Sequence, residues 1–329
     1  MQTGNNRRDF LKSLGIMSLG AFAGSSIVSA CAGKTGDAAH ATDSASVIAT
    51  EAKPLFFKIS LAEWSLNKSI FGGKMSNLDF PAKAKNDFGV SAVEYVNQFF
   101  KDKATDQAYL AELKKRCDDV GVTSVLIMCD GEGGLGDTDE KKRIQAVDNH
   151  KKWADAAKFL GCHSIRVNAY GEGTAEEVSK TATDGLRRLS EYGKTLGINV
   201  IVENHGGYSS NGQWLSEVIK NTGMENCGTL PDFGNFCIKG QPDKCDEWYD
   251  RYKGTEEMMT YAKGVSAKTF NFDDAGNCIE TDYVKMLQIV KNVGYNNYIG
   301  IEYEGSSLSE EEGILKTKAL LERVGGTLS

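Results

Sequence analysis

What this 329-residue chain lacks narrows the field first. No internal stretch is long and apolar enough to span a bilayer, which argues against a membrane-spanning helix there. No GxGxxG follows the first predicted strand, which argues against a dinucleotide-binding sheet. Positive charge is in deficit, with 38 Lys and Arg against 45 Asp and Glu and a formal net charge of −7. The first 31 residues hold Arg7, Arg8 and Lys12 against Asp9, so the remainder carries a net charge near −9. That balance argues against nucleic acid or an anionic membrane surface as partner. No fixed repeat period is visible, so any internal repetition is structural only.

Cysteine is present without a pattern. Apart from Cys31, the chain has Cys117, Cys129, Cys162, Cys227, Cys237, Cys245 and Cys278, none in a CxxC or other zinc spacing. A scattered, odd set reads as buried apolar cysteines. Cys237 and Cys245, close together in one loop region, form the one pair worth testing as a bridge.

The N-terminus reads as a targeting segment. Asn6-Arg7-Arg8-Asp9-Phe10-Leu11-Lys12 precedes a moderately apolar run, Leu14 to Ala30, which ends in Val28-Ser29-Ala30-Cys31. Diluted by glycine and serine, the run is too short and weak for a stable membrane span. It resembles a twin-arginine signal joined to a lipobox in which Cys31 becomes the lipidated first residue after cleavage. The resemblance implies an exported, periplasmic or cell-surface lipoprotein held to the membrane by its lipid alone. An exported enzyme, if this is one, rarely meets phosphorylated metabolites, which are cytoplasmic. Residues 32–52 are small, polar and aperiodic, as expected of a flexible tether. Residues 53–329 suffice for one large domain.

From Leu55 onward, short apolar or β-branched runs alternate with longer amphipathic stretches. Candidate strands are Phe56–Leu61, Ala92–Val96, Ser124–Cys129, Ser164–Asn168, Asn199–Glu203, Gly228–Asp232, Ala262–Lys268 and Tyr298–Tyr303. Candidate helices are Asp106–Val120, Asp139–Leu160, Ala175–Leu196, Trp214–Asn221, Asp282–Val293 and Ser309–Val324. Three of them run into Gly161, Gly197 and Gly294, the usual helix stop. Eight strands alternating with helices define the α/β class and fit a (β/α)₈ barrel better than a doubly wound sheet.

In such a barrel the chemistry lies where strands run into βα loops. Those positions here are polar: Glu63 and Trp64, Glu94, Asp130, Arg166 and Asn168, Glu203 and His205, Asp232 and Asn235, Ser266 and Lys268, Glu302 and Glu304. A carboxylate ending an apolar strand is costly unless paired, protonated or bound to a cation. Glu203, Asp232 and Glu302, on three late strands, are placed to converge across the mouth. With His205 they form a candidate set for Mn²⁺, Mg²⁺ or Zn²⁺. Independent salt bridges are the alternative. His205 is a ligand or proton-transfer candidate. Arg166, Asn168, Asn235, Glu94 and Trp64 are candidates for substrate contact. Phe99, Phe100 and Tyr170 lie where they could stack on a sugar ring or simply pack a lid. His150 and His163 are expected to face solvent, and His40 lies in the tether.

These strand ends resemble the xylose-isomerase-like TIM-barrel superfamily, often labelled sugar phosphate isomerase/epimerase. The resemblance spans roughly Leu55 to Val324 and rests on Val-Glu203-Asn-His-Gly-Gly, Pro-Asp232-Phe-Gly-Asn and Gly-Ile-Glu302-Tyr-Glu. It implies one divalent metal held by Glu, Asp, His and Glu from strands five to eight, with the two glutamates moving protons beside a carbonyl. Glu203, Asp232 and Glu302 match. The strand-seven histidine does not, because Val265-Ser266-Ala267-Lys268 puts Ser266 in its place. His205 or water filling the gap, a weakly held metal, or Lys268 supplying the positive charge are all open at this point.

The implied chemistry is proton transfer next to a carbonyl on a small carbohydrate, catalysed by Glu203, Glu302, His205 and Lys268. Return of the proton to another carbon or face gives isomerisation or epimerisation. Loss of a β leaving group gives elimination from a 3-keto-glycoside. A surface lipoprotein that binds glycans without catalysis is the reading from another class. The density of ionisable groups at the strand ends argues against it.

Overall fold

The computed structural model describes residues 54–241 and 244–329. The twin-arginine stretch, Cys31 and the tether through residue 52 lie outside the described residues. Among the described residues there are ten strands: β1 (Lys58–Ala62), β2 (Ala92–Val96), β3 (Thr123–Met128), β4 (Ser164–Val167), β5 (Asn199–Glu203), β6 (Cys227–Leu230), β7 (Cys237–Gln241), β8 (Lys244–Trp248), β9 (Val265–Thr269) and β10 (Tyr298–Tyr303). The helices are α1 (Asn67–Phe71), α2 (Phe80–Phe88), α3 (Gln107–Val120), α4 (Glu140–Leu160), α5 (Ala175–Leu196), α6 (Gly212–Thr222), α7 (Arg251–Met259), α8 (Tyr283–Asn292) and α9 (Glu310–Leu328).

Eight strands form one parallel sheet in the order β6-β5-β4-β3-β2-β1-β10-β9. Parallel bridges Thr229↔Ala262 and Asp232↔Ser266 join its two ends, so the sheet closes on itself as a barrel. Each barrel strand is followed by one of the helices α2 to α9, giving the expected (β/α)₈ architecture. Closure buries the strands on both faces, which is why they read as nearly continuous apolar runs.

Local chemistry marks the helix ends. Side chains of Asp106, Asp139, Asn211 and Asp250 accept backbone N–H bonds at helix N-termini, and Thr174–Glu177 and Ser309–Glu312 form reciprocal capping boxes. Gly161 and Gly197 end α4 and α5 in the left-handed conformation, at φ 84° and 71°. At Gly300 in β10 the reason for glycine is space. A β-carbon there would lie 2.7 Å from the Glu94 carboxylate.

Several elements differ from expectation. Helices α2 and α7 and the antiparallel hairpin β7–β8 were not anticipated. Helix α7 is mostly polar and carries Gly254, whose missing side chain lets the helix approach the Phe236 ring. His150 is buried rather than solvent-facing. It shares the inner face of α4 with Ala146, Val147, Trp153, Ala154 and Ala157 at helical spacing, and its Nδ1 lies 2.7 Å from the Ala146 carbonyl. His163 is half-buried at the opposite rim, with Nδ1 2.6 Å from Ser164 Oγ. Phe100 is core, packed edge-on against Trp153. Among the described residues no helix is long and apolar enough to cross a membrane.

Candidate active site

Strand periodicity delivers the polar side chains to the mouth. Residues two apart share a face, so Arg166 and Asn168, Ser266 and Lys268, and Glu302 and Glu304 arrive in pairs. The parallel register sets Glu302 beside Lys268 and bridges Asp232 to Ser266. Glu203, Asp232 and Glu302 each offer an oxygen within 4.8 Å of the others, and all three are buried.

Ser266 sits between two of them. Its Oγ is 2.7 Å from Asp232 Oδ2 and 2.7 Å from Glu302 Oε2. A hydroxyl has one proton to donate, so it satisfies one carboxylate outright and the other only when that carboxyl is protonated. The Lys268 ammonium is 3.2 Å from Glu302 Oε1, 2.9 Å from Glu304 Oε1 and 3.7 Å from Asp232 Oδ2. Burial opposes its charge, but Asp232, Glu302 and Glu304 outweigh burial and raise its pKa well above the ordinary lysine value.

The carboxyls separate accordingly. Burial raises Asp232 to about 7 against the pull of Lys268, and raises Glu203 to about 7 against the pull of Arg166. At Glu302 the burial effect is overcome by Lys268, the Ser266 hydroxyl and Arg166, so it stays below the usual glutamate value. Two carboxyls that titrate near neutrality beside one held ionised suit proton exchange.

A second chain of contacts crosses the mouth from β4. Arg166 Nη1 donates to Asp130 Oδ1 at 2.7 Å, and Asn168 Nδ2 donates to the same oxygen at 2.7 Å. Arg166 Nε is 2.8 Å from Glu203 Oε2 as an ion contact, off the axis of an aligned hydrogen bond. His205 Nδ1 meets Tyr170 Oη at 2.8 Å and Asn168 Oδ1 at 3.2 Å. Burial, then Arg166 and Lys268, lower the pKa of His205, which favours the neutral imidazole. Asn235 donates to Glu203 Oε1 at 3.0 Å.

A cavity of about 380 Å³ opens over this cluster, lined by Trp64, Asp130, Arg166, His205, Glu302 and Glu304 among others. Glu203, Asp232, Ser266, Lys268 and Glu302 therefore meet at one place, with Arg166, Asn168, His205 and Asn235 around them. His205 stands outside the group whose atoms are close enough to share an ion. Glu94 lies one layer deeper, its Oε1 accepting from Ser60 Oγ and its carboxyl lying over Gly300. Burial lifts it to about 8.

The donor set fits a divalent ion. Three carboxylates face one another, and Glu203 Oε2 is a buried oxygen with no aligned hydrogen bond. Sequence reasoning named Asp130 and Glu304 among the polar strand ends but gave neither a role. The expected bridge is present: Cys237 and Cys245 form a disulfide, and the five other described cysteines are buried thiols.

Residues 82–324 match the family described as xylose isomerase-like TIM barrel, and the chain belongs to that family. No curated protein sequence gives a significant match. Among solved structures the chain is similar to IOLI protein with a binding zinc atom, at TM-score 0.64 and 15% identity over 82% of this chain and 99% of that one. A sugar phosphate isomerase/epimerase from Parabacteroides distasonis aligns at TM-score 0.62 and 17% identity, over 83% and 96% of the two chains. The 3-keto-D-glucoside 4-epimerase YcjR from E. coli aligns at TM-score 0.58 and 12% identity, over 82% and 100%. At these identities the likeness is one of fold.

Proposed function

We propose that the protein is a sugar isomerase or epimerase that moves a proton at a carbon next to a carbonyl of a non-phosphorylated sugar or keto-sugar. The observation that carries this reading is the convergence of Glu203, Asp232 and Glu302 on one buried point beneath an open cavity. Their differing proton affinities divide the work. Glu302, held ionised by Lys268, takes the proton from the C–H bond, whose electrons pass to the carbonyl oxygen as an enediolate forms. Glu203, titrating near neutrality, returns a proton to the opposite face, or to the adjacent carbon as the enediolate's hydroxyl proton passes to the former carbonyl oxygen. Arg166 and neutral His205 line the cavity and orient the sugar oxygens. Glu203, Asp232 and Glu302 would hold the divalent ion, which supplies electrophilic stabilisation of the carbonyl oxygen when bound. With Ser266 in place of a histidine the nearby donors are all oxygen, which favours Mg²⁺ or Mn²⁺ over Zn²⁺.

The substrate is read as non-phosphorylated for two reasons. The twin-arginine and lipobox motifs at Arg7, Arg8 and Cys31 support export to the periplasm or cell surface. In addition, the charges of Arg166 and Lys268 are already balanced by Asp130 and Glu203 and by three carboxylates, so neither brings excess positive charge for a phosphate. A panel of aldoses, ketoses and 3-keto-glucosides incubated in deuterated water tests the reading by NMR. Solvent deuterium at a carbon beside the carbonyl, with a new isomer, is expected. Release of the aglycone would assign elimination instead, and no exchange on any member would reject the enzyme reading.

A further inference from the structure

The cavity over the carboxylates does not stand alone. A second one, of about 410 Å³, is lined by Tyr170, His205, Asn235, Trp248, Lys268 and Glu304 among others. His205 and Glu304 border both, so the two spaces adjoin at the barrel mouth as two halves of the site region. Each half lies toward the lower end of the ~300–1,000 Å³ range of small-molecule sites. The proton transfer proposed above accounts for Lys268, Asn235 and His205 but leaves the Trp248 wall of the second space without a role.

The second half has the walls of a sugar-ring site. Trp248 is 49% exposed and Tyr170 is 44% exposed, both large amphipathic rings at the rim of a polar cleft. The Trp248 indole stacks on no other ring among the described residues. Exposing such a ring forfeits the benefit of burying it, and the apolar face of a pyranose would cover it. Lys268, Glu304 and Asn235 supply polar groups for the hydroxyls at the ring edge.

The position of Trp248 relative to the carboxylates is fixed. It ends β8 directly opposite Cys237 of β7, and Cys237 is bridged to Cys245 eight residues on. The hairpin leaves the barrel just after Asn235, which holds Glu203, and Tyr249 N–H bonds the Phe236 carbonyl at 2.9 Å as the chain returns. The cross-linked hairpin thus presents an aromatic platform at a set distance from the reacting centre.

We infer that Trp248 and the bridged hairpin form a second ring subsite, so that the substrate is a two-ring glycoside rather than a free monosaccharide. This rests on the proposed sugar chemistry for its substrate class, but binding tests it independently of turnover. Calorimetric titration of the full-length oxidised protein would use glucose- and galactose-containing disaccharides and their component monosaccharides. At least one disaccharide is expected to bind about tenfold or more tightly than either component. Trp248→Ala should abolish that advantage while leaving monosaccharide affinity unchanged, and Trp248→Phe, which keeps a ring, should retain most of it. Circular dichroism would verify that both variants are folded. The inference is overturned if no disaccharide binds more tightly than its components, or if the preference survives Trp248→Ala. Preferential disaccharide binding without hydrogen exchange would reject the proton-transfer reading and leave the subsite standing.

Discussion

Lys268 is an ammonium buried among carboxylates, and its removal exposes what the cluster requires. Without it, Asp232, Glu302 and Glu304 face one another with no counter-charge at 2.9 to 3.7 Å. Breaking a buried ion pair from one side costs ~3–5 kcal/mol. Lys268→Met is therefore expected to lower the melting temperature, and Mg²⁺ or Mn²⁺ should restore it more than it raises that of the wild type. Equal metal effects in a melting assay would show that Lys268 and the ion do not compete. Glu94 gives a separate pH signature. Its carboxyl is raised from 4.5 to about 8, with burial the largest cause. The stability it contributes is fully present below about 4.5 and is lost as pH rises through about 8. Glu94→Gln removes the titration, so its stability relative to wild type should grow between roughly pH 4.5 and pH 8, by on the order of a few kcal/mol, and stay level above that. A difference independent of pH in urea unfolding would contradict this.

At the scale of elements, the hairpin β7–β8 is the most distinctive addition to the barrel. Its short cross-linked loop constrains the unfolded chain by ~2–3 kcal/mol, so a Cys237→Ser/Cys245→Ser variant should melt a few degrees lower, with the far-ultraviolet spectrum of the barrel intact. Loss of the whole fold would mean that the hairpin is integral to the barrel. The eight barrel strands were legible because burial on both faces makes each a compact apolar run, and Ala92–Val96, Asn199–Glu203 and Tyr298–Tyr303 match to the residue. The long helices were legible from apolar spacing and glycine stops. The hairpin was not, since Lys244–Trp248 is mostly exposed and carries no apolar alternation. His150 was misplaced because its charged neighbours along the chain outweighed its position on the inner face of α4. The convergence of Glu203, Asp232 and Glu302 followed from barrel topology, whereas the link from Asp130 through Arg166 to Glu203 requires three-dimensional proximity that no spacing reveals.

At the scale of the molecule, the site exists only because the sheet closes. Arg166, Glu203, Asp232, Lys268 and Glu302 come from five segments spread over more than a hundred residues, and the β6–β9 bridges bring the last of them together. A closed sheet also supplies the low-dielectric floor on which Lys268 and the Ser266 hydroxyl hold Glu302 ionised while burial raises Glu203. The most direct test of this account is NMR measurement of deuterium uptake from solvent into a responsive sugar or keto-sugar, comparing wild type with Glu203→Gln and Glu302→Gln. Exchange slowed by about 10²-fold or more in each folded variant is the result expected when both carboxyls touch the reacting carbons. Exchange at the wild-type rate in either variant would contradict the assignment of the barrel mouth as a proton-transfer site.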